Sequence, residues 1–141
     1  MLRTRWPVVL FVLWSAYVWV TRIVNAFGDD TANKPFALVL SLSVLLPVAG
    51  TGVVLVVARH RMLVEHEIRL WQTAAVWTSL VWLVRGAEIV VSDHSAAFKV
   101  VHVVVGAVSI VLAAATVRVA RREQAPESPP TGVSPAVGAD R

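Results

Sequence analysis

The sequence predicts an all-α membrane protein. Four transmembrane helices form two tandem two-helix repeats in parallel topology, with both termini cytoplasmic. Three observations predict this: an apolar composition, four apolar runs of spanning length, and a self-match of the two halves at a shift of 63 residues.

Of the 141 residues, 57% are hydrophobic and 16% charged, where a soluble domain carries about 25% charged residues. The mean hydropathy is +0.69. A soluble core of this size cannot bury so much apolar surface, whereas lipid solvates it. The net charge is +4, but the arginines flank apolar runs instead of lining one soluble face, so nucleic acid is not an expected partner. There is no cysteine, which excludes disulfides, thiolate zinc sites and cysteine nucleophiles. Arginine outnumbers lysine 11 to 2, and Val and Ala abound, a bias of GC-rich bacterial genomes.

The first run extends over 6–27, the second over 35–58, the third over 70–91 and the fourth over 97–117. At 1.5 Å per residue each crosses a hydrocarbon layer of about 30 Å. Helices satisfy every backbone group within the segment, and the alternation of a barrel strand is missing. Arg3 and Arg5 precede the first run as in a signal peptide, but the run is too long for one and no cleavage site follows. The first run is therefore expected to be retained.

Orientation follows from arginine. Arg3, Arg5, Arg59, Arg61, Arg69, Arg118, Arg121 and Arg122 fall on one side of the spans. Asp29, Asp30, Lys34, Asp93 and His94 fall on the other, in two short loops. The excess of positive charge marks the cytoplasmic side, so a multi-pass protein of the bacterial inner (cell) membrane is expected. Residues 1–122 make the membrane domain. Residues 123–141, rich in Pro, Ser, Gly and Ala, read as a disordered cytoplasmic tail.

LWSAYVWVTRIVNAFGDD falls on VWTSLVWLVRGAEIVVSD at the 63-residue shift. Trp14 meets Trp77, Trp19 meets Trp82, Arg22 meets Arg85, Asn25 meets Glu88 and Asp30 meets Asp93. One gap later, Phe36 meets Phe98 and Arg59 meets Arg121. Repeat one is 6–59 and repeat two 69–122. Each copy holds an even number of spans, so the copies insert in the same direction, related by an axis along the membrane normal. WSAYVWVTRIVN, a Trp-rich stretch ending in polar residues, resembles the first helix of small uncharacterised actinobacterial membrane proteins built from one such unit. The resemblance covers 6–59 and 69–121 and implies architecture, not chemistry.

The residues out of place in a bilayer are the candidate site. Arg22 and Arg85 sit inside the outer ends of their helices, with apolar sequence resuming after each. They either snorkel to the outer headgroups or join a polar network. Glu88 lies three residues after Arg85, on the same helix face. Asn25, Asp93 and His102 lie at the same depth. The candidate buried polar cluster is therefore Arg22, Asn25, Arg85, Glu88, Asp93 and His102. Glu88 is expected to pair with Arg85 or Arg22 and to be shielded from lipid. Trp6 and Trp71 suit an interfacial belt, and the four deeper tryptophans suit packing between repeats. Ser43, Pro47 and Gly50, and Gly106, Ser109 and Ala113, read as close-packing seams.

No cofactor is expected. Only His102 lies inside a span, whereas a b-type haem needs two axial ligands, and no zinc spacing occurs. No G-x-S-x-G, H-E-x-x-H or P-loop occurs, so the chain is not expected to be an enzyme. The expected function is that of a small non-catalytic membrane protein, a scaffold or accessory subunit. Its expected partners are the lipid bilayer and a second copy of itself or a larger membrane complex. The alternative is a small oligomeric transporter or channel using the outer-leaflet Arg/Glu cluster.

Overall fold

A computed structural model describes residues 2–28 and 34–124 of the chain. It holds four helices: α1 (Leu2–Gly28), α2 (Lys34–Val57), α3 (Glu65–Val91) and α4 (Ala96–Gln124). Each is long and apolar enough to cross a membrane. The helices form a ring in chain order, α1 against α2, α2 against α3, α3 against α4, and α4 back against α1. Across the diagonal, Trp19 of α1 meets Trp82 of α3 with ring centroids 6.1 Å apart.

Three of the four described helices outrun the predicted spans, and α2 matches its own to within one residue at each end. α1 starts four residues before Trp6, α3 five before Leu70, and α4 continues seven beyond Val117. The apolar run measures the lipid slab, but a helix continues past it wherever its polar end finds partners. Glu123 and Gln124, predicted as the start of a disordered tail, are helical. Residues 125–141 and 29–33 lie outside the described residues.

The interior is small and hydroxylated, while the surface is large and apolar. Ser15, Ser41, Thr51, Thr78, Ser109 and Thr116 are all buried, whereas Leu13, Val24, Phe27 and Leu46 are exposed. In water this arrangement would be unfavourable; in lipid the outward leucines and valines lose nothing and the small inner residues let backbones approach. Most inner hydroxyls are satisfied within their own helix. Ser41 donates to the Ala37 carbonyl (2.7 Å), Thr51 to Pro47 (2.9 Å), Ser109 to Val105 (2.8 Å) and Thr116 to Leu112 (3.0 Å).

Gly106, Ser109 and Ala113 form a buried seam as expected. A Cβ on Gly106 would lie 3.0 Å from Trp82 Cε3, so glycine is what lets that indole lie against α4. Ser43, Pro47 and Gly50 are only half-buried and flank the α2–α3 seam, where Trp77 Nε1 donates to Ser43 Oγ (3.2 Å) and Gly50 abuts Leu70. The core face of α2 is instead Ser41, Val44, Val48, Thr51 and Leu55.

The end of the bundle holding both described chain ends is closed by a clasp that the sequence does not announce. Arg5, 2% exposed, donates from Nε and Nη2 to the Glu123 carboxylate (2.9 and 2.8 Å). It also donates to the carbonyls of Ala58 (2.8 Å) and Arg61 (3.3 Å), and its guanidinium lies 5.9 Å from the Trp71 ring. One side chain of α1 thus ties α3, α4 and the α2–α3 loop. Arg5 is therefore not a solvated flanking charge. Trp71, predicted as interfacial, is fully buried beneath it, while Trp6 is exposed as expected. The α2–α3 loop is braced by Arg61, which donates to both Glu67 oxygens (2.8 and 2.5 Å). Glu67 also accepts from the Val64 backbone N–H (3.0 Å).

Candidate functional site

A cavity of about 450 Å³ opens in the other half of the bundle. It is bounded by α1, α3 and α4, with Ala37 of α2 at one edge. Arg22, Asn25, Arg85 and His102 of the predicted cluster line it. Glu88 and Asp93 do not.

Arg22 follows Trp19 by three residues and Arg85 follows Trp82 by three, so each arginine has an indole about one turn deeper on its own helix. Both helices run toward this end of the bundle, and helical side chains lean back toward the N-terminus. That tilt favours contact with the deeper indole over extension toward the headgroups. At Arg22 the guanidinium lies 5.6 Å from the Trp19 ring. Arg22 is half-buried against its own tryptophan.

The charges do not balance. Arg85 Nη1 donates to Glu88 Oε2 at 2.8 Å, as expected, but the Glu88 side chain is 54% exposed and not enclosed by protein. Asn25 and Asp93 are also exposed, so the cluster is half-open, not buried. Three residues advance a helix by about 300°, so Asn25 and Glu88 sit about 60° round from Arg22 and Arg85, on the exposed flank of the same face. Arg22 has no ion pair and no hydrogen bond among the described residues.

Further donors lie at this level and just beneath it. Nε of Arg22, Nε of Arg85, and the indole N–H groups of Trp19 and Trp82 are shielded from solvent and have no protein acceptor. One turn deeper, the hydroxyls of Ser15 and Thr78 are equally unpartnered. A buried donor without a partner costs about 1–3 kcal/mol, so natural structures keep few of them. Here three come from α1 and three from α3, in pairs 63 residues apart.

At the α4 wall, His102 Nδ1 lies 2.9 Å from the Phe98 carbonyl, and its ring is 3.9 Å from that of Phe98. A carbonyl oxygen only accepts, so Nδ1 carries a proton and Nε2 remains for another partner. No three His, Asp or Glu side chains converge as a metal group among the described residues.

Sequence reasoning placed the arginines together but missed the aromatic wall: Tyr17, Trp19, Trp82 and Phe98. The signal was the repeated W-x-x-R, which puts an indole one turn beneath each guanidinium on one face. Chemically, the cavity offers fixed positive charge, buried N–H donors and aromatic walls, and no nucleophile beside a base. Comparison with protein families, curated proteins and solved structures finds no match to this chain.

Proposed function

We propose that this chain is a multi-pass protein of the bacterial inner membrane that binds an anion in its outer cavity, as a small transporter does in its outward-facing state. The observation that carries the reading is Arg22: a permanently charged, half-buried side chain at membrane depth, lining a cavity, with no acceptor among the described residues. Charged groups within spans pair or mark a ligand path. Arg85 adds a second guanidinium, and the single carboxylate beside it is already engaged. The path is open at one end only, since the Arg5–Glu123 clasp over Trp71 seals the other.

The scaffold reading draws on short loops, absent catalytic motifs and small-residue seams, all of which a small transporter shares. The cavity favours the transporter. The reading is non-enzymatic.

The proposal includes both termini in the cytoplasm, supported by the arginine-rich end to which Arg5 and Glu123 both belong. It also includes the tandem repeat. Val8, Phe11, Ser15 and Trp19 are buried, as are Trp71, Ala74, Thr78 and Trp82, their mates at 63. The buried faces of the second helices agree at 65, not at the Phe36–Phe98 spacing of 62: Ser41 with Gly106, Val44 with Ser109, Val48 with Ala113, Thr51 with Thr116. Trp14 donates to Ser109 of α4 (2.9 Å) and Trp77 to Ser43 of α2, a reciprocal cross-pairing that a two-fold axis along the normal would produce.

Equilibrium binding in a neutral detergent tests the function. The panel is inorganic phosphate, an alkyl phosphate, an alkyl carboxylate, choline and a sugar. The proposal expects at least one anion to bind, choline and the sugar not to, and Arg22→Gln to weaken binding about tenfold, the loss of one charged hydrogen bond. Failure of every anion to bind refutes it.

A further inference from the structure

Building on the anion-binding reading, we infer that the anion is the phosphate head of a lipid, entering sideways between α1 and α4 with its acyl chain in that seam.

Depth is the first argument. Arg22 lies six residues before Gly28 and Arg85 six before Val91, where α1 and α3 end. At 1.5 Å per residue each Cα is about 9 Å below its helix end. A helix of 27 residues is about 40 Å long, close to the whole bilayer with headgroups, whose polar zone takes about 5–7 Å on each side. The guanidiniums therefore lie just beneath the headgroup layer. Lipid phosphates reach this level readily, while a free anion must shed its water to enter.

The opening is the second. Tyr17, Thr21 and Asn25 of α1 and Phe98 of α4 line the cavity and are also exposed, so the cavity reaches the bundle surface along the α1–α4 seam. At membrane depth that surface meets lipid. Deeper in, Trp14 donates to Ser109 and pins α1 to α4, so the seam ends at a floor. Tyr17, Phe98 and Val105 give it an apolar wall that a hydrated inorganic ion does not need and a chain does.

The head is the third. A guanidinium presents paired N–H donors that match two phosphate oxygens. Two arginines with one carboxylate between them leave a net positive charge for a phosphodiester or phosphomonoester. The indole N–H groups of Trp19 and Trp82, on side chains 2% and 8% exposed, supply neutral donors behind the arginines.

The experiment is native mass spectrometry of the full chain from neutral detergent, with added phosphatidic acid or phosphatidylcholine, plus calorimetry with inorganic phosphate. One phosphatidic acid per chain is expected, with phosphatidylcholine retained at least about tenfold less. Arg22→Gln should lower phosphatidic acid retention about tenfold. Val105→Trp should fill the seam and lower retention while both arginines remain, with folding of each variant checked by circular dichroism. Inorganic phosphate should neither bind measurably nor displace the lipid. If inorganic phosphate binds in an Arg22-dependent way and Val105→Trp leaves phosphatidic acid unaffected, the lipid inference falls and the anion reading stands. If phosphatidic acid binds equally well to a folded Arg22→Gln variant, the lipid sits elsewhere and the inference is overturned. If neither binds, the lipid inference falls, and the anion reading falls with it when the alkyl phosphate and alkyl carboxylate also fail to bind.

Discussion

Breaking the Arg5–Glu123 pair should destabilise the bundle more than any ordinary interhelical contact. Arg5 is 2% exposed and donates four hydrogen bonds, two of them to a carboxylate that is itself 15% exposed. Removing one partner of a buried ion pair costs about 3–5 kcal/mol because the other charge is stranded. In Glu123→Ala, Arg5 keeps its two carbonyl acceptors, so the lower end applies, about 3 kcal/mol. In Arg5→Met, Glu123 can turn toward water, and a loss of about 2 kcal/mol is expected. The double variant should lose about 3 kcal/mol, not the sum, giving a coupling of about 2 kcal/mol. Typical interhelical polar pairs in membranes couple by only about 0.6 kcal/mol, so the two cases separate cleanly. The assay is equilibrium unfolding in mixed neutral detergent and dodecyl sulfate, followed by circular dichroism. Additive single losses, or a Glu123→Ala variant within about 0.5 kcal/mol of the parent, would refute the clasp.

Three further outcomes are expected. Gly106→Val should destabilise by about 1–3 kcal/mol, because Trp82 is held between α4 and Trp19 and cannot retreat, whereas Gly86→Ala, with nothing within 4 Å of the added Cβ, should be neutral or mildly stabilising; paired unfolding curves decide. Glu88→Gln should tighten anion binding about threefold or more by freeing Arg85 from its carboxylate, with little change in stability since Glu88 is half-exposed; weaker binding in the titration would contradict this. An alkaline phosphatase fusion at His94 should be active and one at the C-terminus inactive; the reverse would invert the topology.

The four spans were legible because lipid demands long apolar runs, and nothing else in a chain this short produces them. Their ends were not, because helix propagation beyond the slab depends on partners distant in sequence. Arg5 is 118 residues from Glu123, and its other acceptors are carbonyls, which leave no mark on composition. Trp71 was misplaced by analogy with Trp6, yet its mate at 63 is Val8, and both are fully buried. The site was half legible. Charges inside apolar runs announce Arg22 and Arg85, but which way a side chain turns is decided by packing: Glu88 proved half-exposed beside its arginine, and Asp93 lies off the cavity altogether.

The most direct measurement of the central claim is the nitrogen-15 spectrum of the six indole N–H groups during titration with a short-chain alkyl phosphate in neutral detergent. The indoles of Trp19 and Trp82 should shift together and saturate at one equivalent, while that of Trp71, under the clasp at the far end, stays fixed. Arg22→Gln should move the midpoint of the paired shift to about tenfold higher ligand. Movement of Trp71 alone, or an unchanged midpoint in Arg22→Gln, would contradict an anion site at the two arginines.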